Sequence, residues 1–425
     1  MFFFVNLLGL VVFLGIGVLA SRNRKEIQWR SVASLLTLNL VLAWFLTSFE
    51  IGRDMITAAA SGFTELINIS YVGIAFVFPD WVNVPQMNFF AAGLLPILFV
   101  VPLFDILTYF GILPFIIRWV GKLLTFLTRA PKFESFFAIE MMFLGNTEAL
   151  AVSKLQLMRM SKERVLTIGL MSMSCVTAAL IAVYVKMMPA EYVVTAIPLN
   201  VINALLVSSI LHPVKVAPEA DTIATLSEGG EREPFFSYLA ESILGAGRLV
   251  LIICANVIAI VALLKCVNVL LGLLHASLSL ELILGVVLFP FAWLLGLAPA
   301  EAFQIAQYMG TKLITNEFVV MLQIQEMVPT WPAHMQAVMT VFITSFANLG
   351  TVGIILGCFK GLVDPERNMI VARNVVYMML SGLLVSLLSA AICGLFVWWA
   401  RSSRGCCTKS MCSSIFSLML IEPHG

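Results

Sequence analysis

Apolar runs of about 20 residues recur along this chain of 425 residues, and they limit its fold more than any other feature. Each run has the length that an α-helix needs to cross a bilayer. Composition agrees, because 60% of the residues are hydrophobic and only 12% are charged, about half the charged fraction of a soluble domain. We therefore expect an all-α polytopic membrane protein. Its net charge of +1 does not indicate binding of nucleic acid.

Clusters of Lys and Arg predict the topology, because cytoplasmic segments collect these residues. The clusters assigned to the inside are Arg22–Arg30, Arg118–Lys132, Lys154–Arg164, the region around Lys215, and Lys360–Arg373. The cation-poor segments 50–88 and 189–191 are assigned to the outside. The first apolar run lacks the basic region of a secretory signal, so we expect a retained first span with its N-terminus outside.

Two short polar strings, Gly145–Glu148 and Thr315–Phe318, interrupt apolar sequence. An ionisable side chain within the bilayer costs roughly 3 kcal/mol or more, so it normally faces a cavity, pairs with another group or marks a solute path. We therefore predict that Glu148 and Glu317 belong to a binding site.

Each string lies in a segment that looks like a broken hairpin. Segment 133–154 is flanked by basic residues on both sides and breaks at Gly145, so it should enter and leave the membrane from the same side. Segment 302–327 is its counterpart and carries Lys312. The alternative is that each acid merely caps a helix or pairs with a buried base, although Lys312 precedes Glu317 by five residues, a less favourable spacing than four.

Two predicted spans are also irregular. Val165–Lys186 is rich in small and polar residues, which permits either close helix packing or unwound backbone at a site. Gln336–Phe359 is interrupted at Phe346–Gly353. Asp105, near the inner end of the span from 89 to 110, is either a paired structural group or a functional acid.

The order of span, broken hairpin, broken span and span occurs twice. The two copies start on opposite sides of the membrane in the predicted topology, which is the inverted repeat typical of secondary transporters. We expect about eight transmembrane helices, two re-entrant hairpins, and interfacial stretches at 51–88, 114–132 and 290–299. The expected organisation is a scaffold at 1–88, a first repeat at 89–212, a cytoplasmic linker at 213–240, a second repeat at 241–399 and an atypical tail at 400–425.

The residue types in the broken segments suit a polar, uncharged solute. Amides supply a donor and an acceptor for the edge of a base, and a carboxylate accepts two hydroxyl protons of a vicinal diol. A carboxylate can also carry a coupling proton, because burial disfavours its charged form and so shifts the pH at which it takes up a proton toward the physiological range. Glu148 and Glu317 are the candidates for that role.

Three motifs in this order resemble those of concentrative nucleoside transporters. Gly145–Ala149 is similar to their Gly-Gln-Thr/Ser-Glu hairpin motif, Asn316–Phe318 matches their Asn-Glu-Phe motif, and Phe346–Asn348 with Thr351 matches their Phe-x-Asn-x-x-Ser/Thr motif. The resemblance extends from the first span to about Trp398 and is greatest to the bacterial proton-coupled branch.

The resemblance implies a nucleoside symporter of the bacterial inner membrane, a homotrimer in which the hairpins and broken helices move past a scaffold like an elevator. It implies neither a cofactor nor a metal nor a nucleic-acid partner. The substrate-binding residues carried over are Asn146, Thr147 and Glu148 for the nucleobase, Glu317, Asn348 and Thr351 for the ribose hydroxyls, and Phe346 for the wall of the site.

Three positions depart from the family pattern. Asn146 stands where the family usually has Gln, so the base contact passes through water or favours a different base. Met141 and Cys175 stand where sodium-coupled members have Asn and Ser, and sulfur is a poor ligand for a hard cation. We therefore expect coupling to protons. The alternatives are a sodium-coupled symporter and a carrier of a modified nucleoside or nucleobase.

We do not expect an enzyme, because no His-acid cluster or nucleophile with its base converges in the sequence. The three cysteines Cys406, Cys407 and Cys412 lie in the basic tail, which has no counterpart in the family. We interpret the tail as a non-functional extension, and the alternatives are that these cysteines bind a metal or form disulfides. No histidine is assigned a role.

Overall fold

The computed structural model describes residues 2–82, 84, 87–176, 178–217, 219, 221 and 234–400. These residues form helices joined by loops, and no β-strand occurs among them, which confirms the predicted all-α fold. Half of the expected linker at 213–240, namely 218, 220 and 222–233, and the tail beyond residue 400 with its three cysteines lie outside the described residues.

The N-terminal part supplies six helices before the first hairpin. A π-helical turn at Phe90–Leu94 leads into the fifth of them. Their bounds are α1 Phe2–Ala20, α2 Trp29–Ser48, α3 Glu50–Val77, α4 Pro79–Val82, α5 Ile97–Tyr109 and α6 Ile112–Thr128.

The first hairpin and the helices that follow it occupy residues 132–211. The hairpin turns at Gly145, whose φ of 95° lies in the left-handed region that side chains rarely adopt. The bounds are α7 Lys132–Leu144, α8 Asn146–Val152, α9 Lys154–Arg159, α10 Lys162–Met171, α11 Ala178–Met187 and α12 Ala190–Leu211. The span is interrupted between α10 and α11, so it contains unwound backbone. Close packing occurs as well, because a Cβ on Gly169 would lie 3.3 Å from Val371.

The same order of elements returns after residue 234. The second hairpin consists of α15 and α16, and the second broken span consists of α17 and α18. The bounds are α13 Phe235–Leu274, α14 Leu280–Trp293, α15 Pro299–Ile314, α16 Glu317–Ile324, α17 Ala333–Ile343, α18 Leu349–Leu362, α19 Pro365–Ala372 and α20 Val375–Ala400.

Two predicted boundaries differ from the observed ones. The second break was expected to extend to Gly353, but the chain is helical again from Leu349, because the Asn348 side chain caps the first turn of α18. The interfacial stretch expected at 290–299 is the end of α14 and a turn at Gly296, whose φ is 83°.

Two helices lie at the centre of the molecule. In α12 and α20 most residues are buried, whereas the long α13 is mostly exposed. Among the described residues, seven helices are long and apolar enough to cross a membrane: α1, α2, α3, Phe90–Tyr109, α12, α13 and α20. We predicted α3 to lie on the surface, which leaves six of these helices. The two broken spans raise the number to the expected eight transmembrane helices. The surface position of α3 stays a prediction.

Candidate functional site

Three short helices begin in the broken segments. Helix α8 begins directly after the turn at Gly145, α16 begins after Asn316, and α18 begins after Asn348. Both asparagines accept a hydrogen bond from the backbone N–H three residues later, at 3.0 Å from Val319 and 2.8 Å from Thr351. Helix N-termini carry a partial positive charge, so these three helix starts supply oriented N–H dipoles within the hairpins and the second broken span.

A cavity of about 220 Å³ lies between the tip of the first hairpin and the start of α18. Helices α5 and α13 form its other side. The structure brings five of the seven predicted site residues to this cavity: Asn146, Thr147, Glu148, Phe346 and Thr351.

Asn146 is anchored by one half of its amide. Its Nδ2 donates to the carbonyl oxygen of Ser172, at 2.5 Å, in the break after α10. Its Oδ1 is buried and has no hydrogen-bond partner among the described residues. A buried acceptor is rarely left without a donor, so Asn146 is suited to accept a hydrogen bond from a bound solute.

Glu148 is accessible from the cavity. Its Oε2 accepts a hydrogen bond from the hydroxyl of Thr147 at 2.5 Å. No Lys or Arg of the described part of the chain lies within 4.0 Å of this carboxylate. Glu148 therefore has the properties of a binding group and not those of half a structural ion pair.

Glu317, predicted to hold the ribose hydroxyls, is buried behind the cavity wall. It is 1% exposed and does not line the cavity. Its Oε1 accepts from the hydroxyl of Tyr184 at 2.9 Å, and its Oε2 accepts from Nδ2 of Asn348 at 3.0 Å. Asn348 Oδ1 in turn accepts from the Thr351 hydroxyl at 3.1 Å, and Thr351 reaches the cavity. Glu317 is thus connected to the cavity through two side chains.

Lys312 does not form the ion pair that was considered for Glu317. Its fully buried Nζ donates to the hydroxyl of Ser345 at 2.8 Å, and Ser345 is 2.6 Å from the hydroxyl of Ser386 on α20. Within the described residues, no ion pair of 4.0 Å or less joins Lys312 to Glu317. Hairpin 2 is therefore attached to the second break at two points, through Lys312 and through Glu317.

Sequence reasoning missed Tyr184 and Ser242. Tyr184 is fully buried, and a phenol within a span needs a hydrogen-bond partner, which is the signal that could have found it. Ser242 on α13 donates to Asp105 on α5, and both residues line the cavity. Asp105, whose role was left open, therefore combines a structural contact with a place in the cavity wall.

Family models and known proteins match this chain over most of its length. The family models described as "Na+ dependent nucleoside transporter" N-terminus and C-terminus match residues 8–81 and 192–394. The chain is 46% identical to the purine nucleoside transport protein NupG of Bacillus subtilis, over 94% of this chain and all of that protein. It is 27% identical to the nucleoside permease NupC of Helicobacter pylori, over 92% of this chain and 97% of that protein.

Solved structures agree with these sequence matches. The structure of CNTnw in an inward-facing, substrate-bound state superposes with a TM-score of 0.88 at 26% identity, over 94% of this chain and 99% of that one. A CNTnw variant in an outward-facing state has the same TM-score and coverage, and a variant in an intermediate state has a TM-score of 0.85.

Proposed function

Because this chain belongs to the concentrative nucleoside transporter family, we propose that it is a secondary active importer that carries nucleosides together with protons. Its relatives are nucleoside transporters and not enzymes. The observation that carries the proposal is the cavity itself, where the tip of the first hairpin faces the start of α18.

The first hairpin supplies the groups for the nucleobase. Asn146 has an Oδ1 without a hydrogen-bond partner among the described residues, and Glu148 has a carboxylate that accepts a hydrogen bond from Thr147. Both are acceptors, which suits the N–H groups of a base edge. The relative with 46% identity is a purine nucleoside transport protein, and we propose purine nucleosides as the preferred substrates.

The opposite wall supplies the groups for the ribose. Thr351 offers a hydroxyl, and Phe346 offers an aromatic face. Asn348 and Glu317 support Thr351 from behind. We propose that a bound ribose contacts Thr351 first, and that Glu317 reaches its hydroxyls when hairpin 2 shifts relative to α18.

Proton coupling rests on the side chains near the first hairpin. Met141 and Cys175 are both buried and present sulfur, whereas a hard cation such as sodium needs oxygen ligands. Glu148 is accessible from the cavity and has no cation partner in the described part of the chain. We propose Glu148 as the first proton carrier and Glu317 as the second candidate.

Alternating access is the transport mechanism that we propose. The CNTnw structures cover inward-facing, intermediate and outward-facing states of one fold, and this chain shares that fold. We propose that the hairpins and broken helices move as an elevator past the other helices, in a homotrimer of the bacterial inner membrane with the N-terminus outside.

Uptake into proteoliposomes tests the function. Labelled adenosine, guanosine and uridine are supplied while the pH gradient and the sodium gradient are varied independently. We expect accumulation that follows the pH gradient at constant sodium and that is greatest for the purine nucleosides. Accumulation driven by sodium at constant pH would contradict proton coupling, and absence of uptake for all three nucleosides would contradict the substrate class.

Substitution of single acids tests the proton carrier. Glu148→Gln removes the titrating group at nearly constant shape, and we expect it to abolish accumulation driven by the pH gradient. Glu65→Gln on the exposed face of α3 is the matched control and should leave accumulation unchanged. If Glu148→Gln retained full proton-driven accumulation, the assignment to Glu148 would fail.

A further inference from the structure

A second concave surface lies on helix α6 and the start of α7, outside the transport cavity. It is a groove of about 410 Å³ that we call the α6 groove. Its walls include Gly121, Phe126 and Phe136, and its rim carries the cations Arg118, Lys122 and Lys132. The α6 groove is therefore an apolar surface bordered by three positive charges.

Helix α6 is apolar on two faces. One face, with Leu113, Ile117 and Leu124, is buried against the protein. The other face exposes Trp119, 67% accessible, and Phe126, 80% accessible. A helix with an outward aromatic face and basic residues beside it is typical of the interface between bilayer and water, and α6 was expected at the inner face.

The three cations of the groove form no ion pair with any residue that the structure describes. Arg118, Lys122 and Lys132 are exposed, and in the part of the chain that the structure describes none of them lies within 4.0 Å of a carboxylate. Neither of the two acids near Lys132 pairs with its ammonium group. Glu134 binds Arg164 at 2.7 Å, and Asp221 accepts from the backbone N–H of Lys132 at 2.8 Å.

We propose that the α6 groove binds an anionic phospholipid, with its phosphate among Arg118, Lys122 and Lys132 and an acyl chain along Phe126 and Phe136. Arg and Lys are the usual ligands of phosphate, and their long stems lie along apolar surface while the charges reach the headgroup level. The apolar walls favour a lipid over a free phosphate ion, because a lipid has an acyl chain to pack against these walls and a phosphate ion has no apolar part. The cytoplasmic leaflet is rich in anionic lipids, and the basic cluster Arg118–Lys132 was assigned to the cytoplasmic side.

The test compares lipids that differ in charge alone. The Kd of a fluorescent phosphatidylglycerol is measured on the purified transporter, beside a phosphatidylcholine with the same chains. The test variant carries three substitutions of groove cations: Arg118→Gln, Lys122→Gln and Lys132→Gln. The matched control removes three exposed cations of other segments assigned to the inside: Lys25→Gln, Lys360→Gln and Arg373→Gln.

We expect tighter binding of phosphatidylglycerol than of phosphatidylcholine, a Kd raised by roughly tenfold or more in the test variant, and no such change in the control. Equal binding of the two lipids, or equal losses in both variants, would overturn the proposal. Inorganic phosphate is the third probe. If it displaces phosphatidylglycerol at millimolar concentration, the groove is a site for a free anion and the lipid assignment is wrong. Folding is checked by the melting temperature of both variants.

Discussion

The side-chain amide of Asn348 donates to Oε2 of Glu317 at 3.0 Å and so joins the second broken span to the tip of hairpin 2. The same side chain caps α18 through its Oδ1, which accepts from the backbone N–H of Thr351. Asn348 therefore uses both halves of its amide, one to start a helix and one to hold an acid. This relationship makes the position of Glu317 depend on the break in the second span.

Asn348→Ser separates these two tasks. Serine caps a helix about as well as asparagine, so the start of α18 should persist, while the bond to Glu317 is lost. Because this hydrogen bond lies within the protein, its loss affects substrate binding only through the position of the Glu317 carboxylate. We expect a KM for nucleoside raised roughly tenfold, which corresponds to about 1.4 kcal/mol. Uptake kinetics in proteoliposomes measure this. Asn316→Ser, which changes the cap of α16, is the control, and equal KM values for the two variants would refute the separate role of Asn348.

Tyr184→Phe removes the other donor to Glu317. The ring keeps its packing against Phe318, whose centroid is 5.2 Å away, while Oε1 of the acid loses its partner. We expect a reduced kcat/KM for nucleoside with little change in expression, since a buried acceptor without a donor disturbs the geometry of the site. Tyr71→Phe removes a hydroxyl that binds the carbonyl oxygen of Ala92 and should leave transport near wild type. Equal effects of the two substitutions would count against a role for Tyr184.

The Arg164–Glu134 pair should stabilise the packing of the first hairpin against α10. Both side chains are 4% exposed, and Nε and Nη2 of the guanidinium bind the two carboxylate oxygens at 2.8 and 2.7 Å. Glu134→Ala leaves a buried charge with one partner fewer, and we expect a loss of about 3–5 kcal/mol in the free energy of unfolding.

The exposed pair Lys162–Glu366 provides the comparison for that prediction. Its side chains are 42% and 69% exposed, and such surface pairs contribute about 0–1 kcal/mol. Glu366→Ala should therefore lower the melting temperature far less than Glu134→Ala. Thermal unfolding of the detergent-purified variants measures both, and similar shifts would show that burial does not matter here.

We expect the protein to lose stability in acid because of His212. It lies just beyond the end of α12, and burial, with a smaller contribution from the positive charge of Arg22, lowers its pKa from 6.5 to about 4. The unfolded chain therefore takes up the proton first, so the stability that His212 contributes is complete above pH 6.5 and is lost as the pH falls toward 4.

Replacement of His212 tests whether its lowered pKa causes this loss of stability in acid. His212→Gln keeps a polar side chain near the hydroxyl of Thr167, which is 3.1 Å from Nδ1 of the histidine. We expect its melting temperature to fall less than that of the wild type between pH 6.5 and 4, while the exposed His275→Gln should follow the wild-type curve. A steeper fall in His212→Gln would contradict the lowered pKa.

Local sequence was enough to predict the break at Gly145, whereas the end of the second break was predicted at Gly353 and lies at Asn348. The turn at Gly145 and the helix starts at Asn316 and Asn348 are short-range features, because a left-handed turn and an asparagine cap depend on residues at most three positions apart. The depth of Glu317 was not predictable in this way. It depends on Tyr184, which is 133 residues away along the chain.

The sequence by itself determined that the chain is helical, spans a membrane, breaks at defined points and belongs to its family, since run length, capping and motif spacing are properties of contiguous residues. Only the tertiary structure decided which side chains face the cavity. It placed Thr351 and Phe346 opposite Glu148, moved Glu317 behind Asn348, and added Asp105 and Ser242 to the wall. The physical reason is that a buried polar group takes whatever partner packing brings within about 3 Å, and packing joins segments that are far apart in sequence.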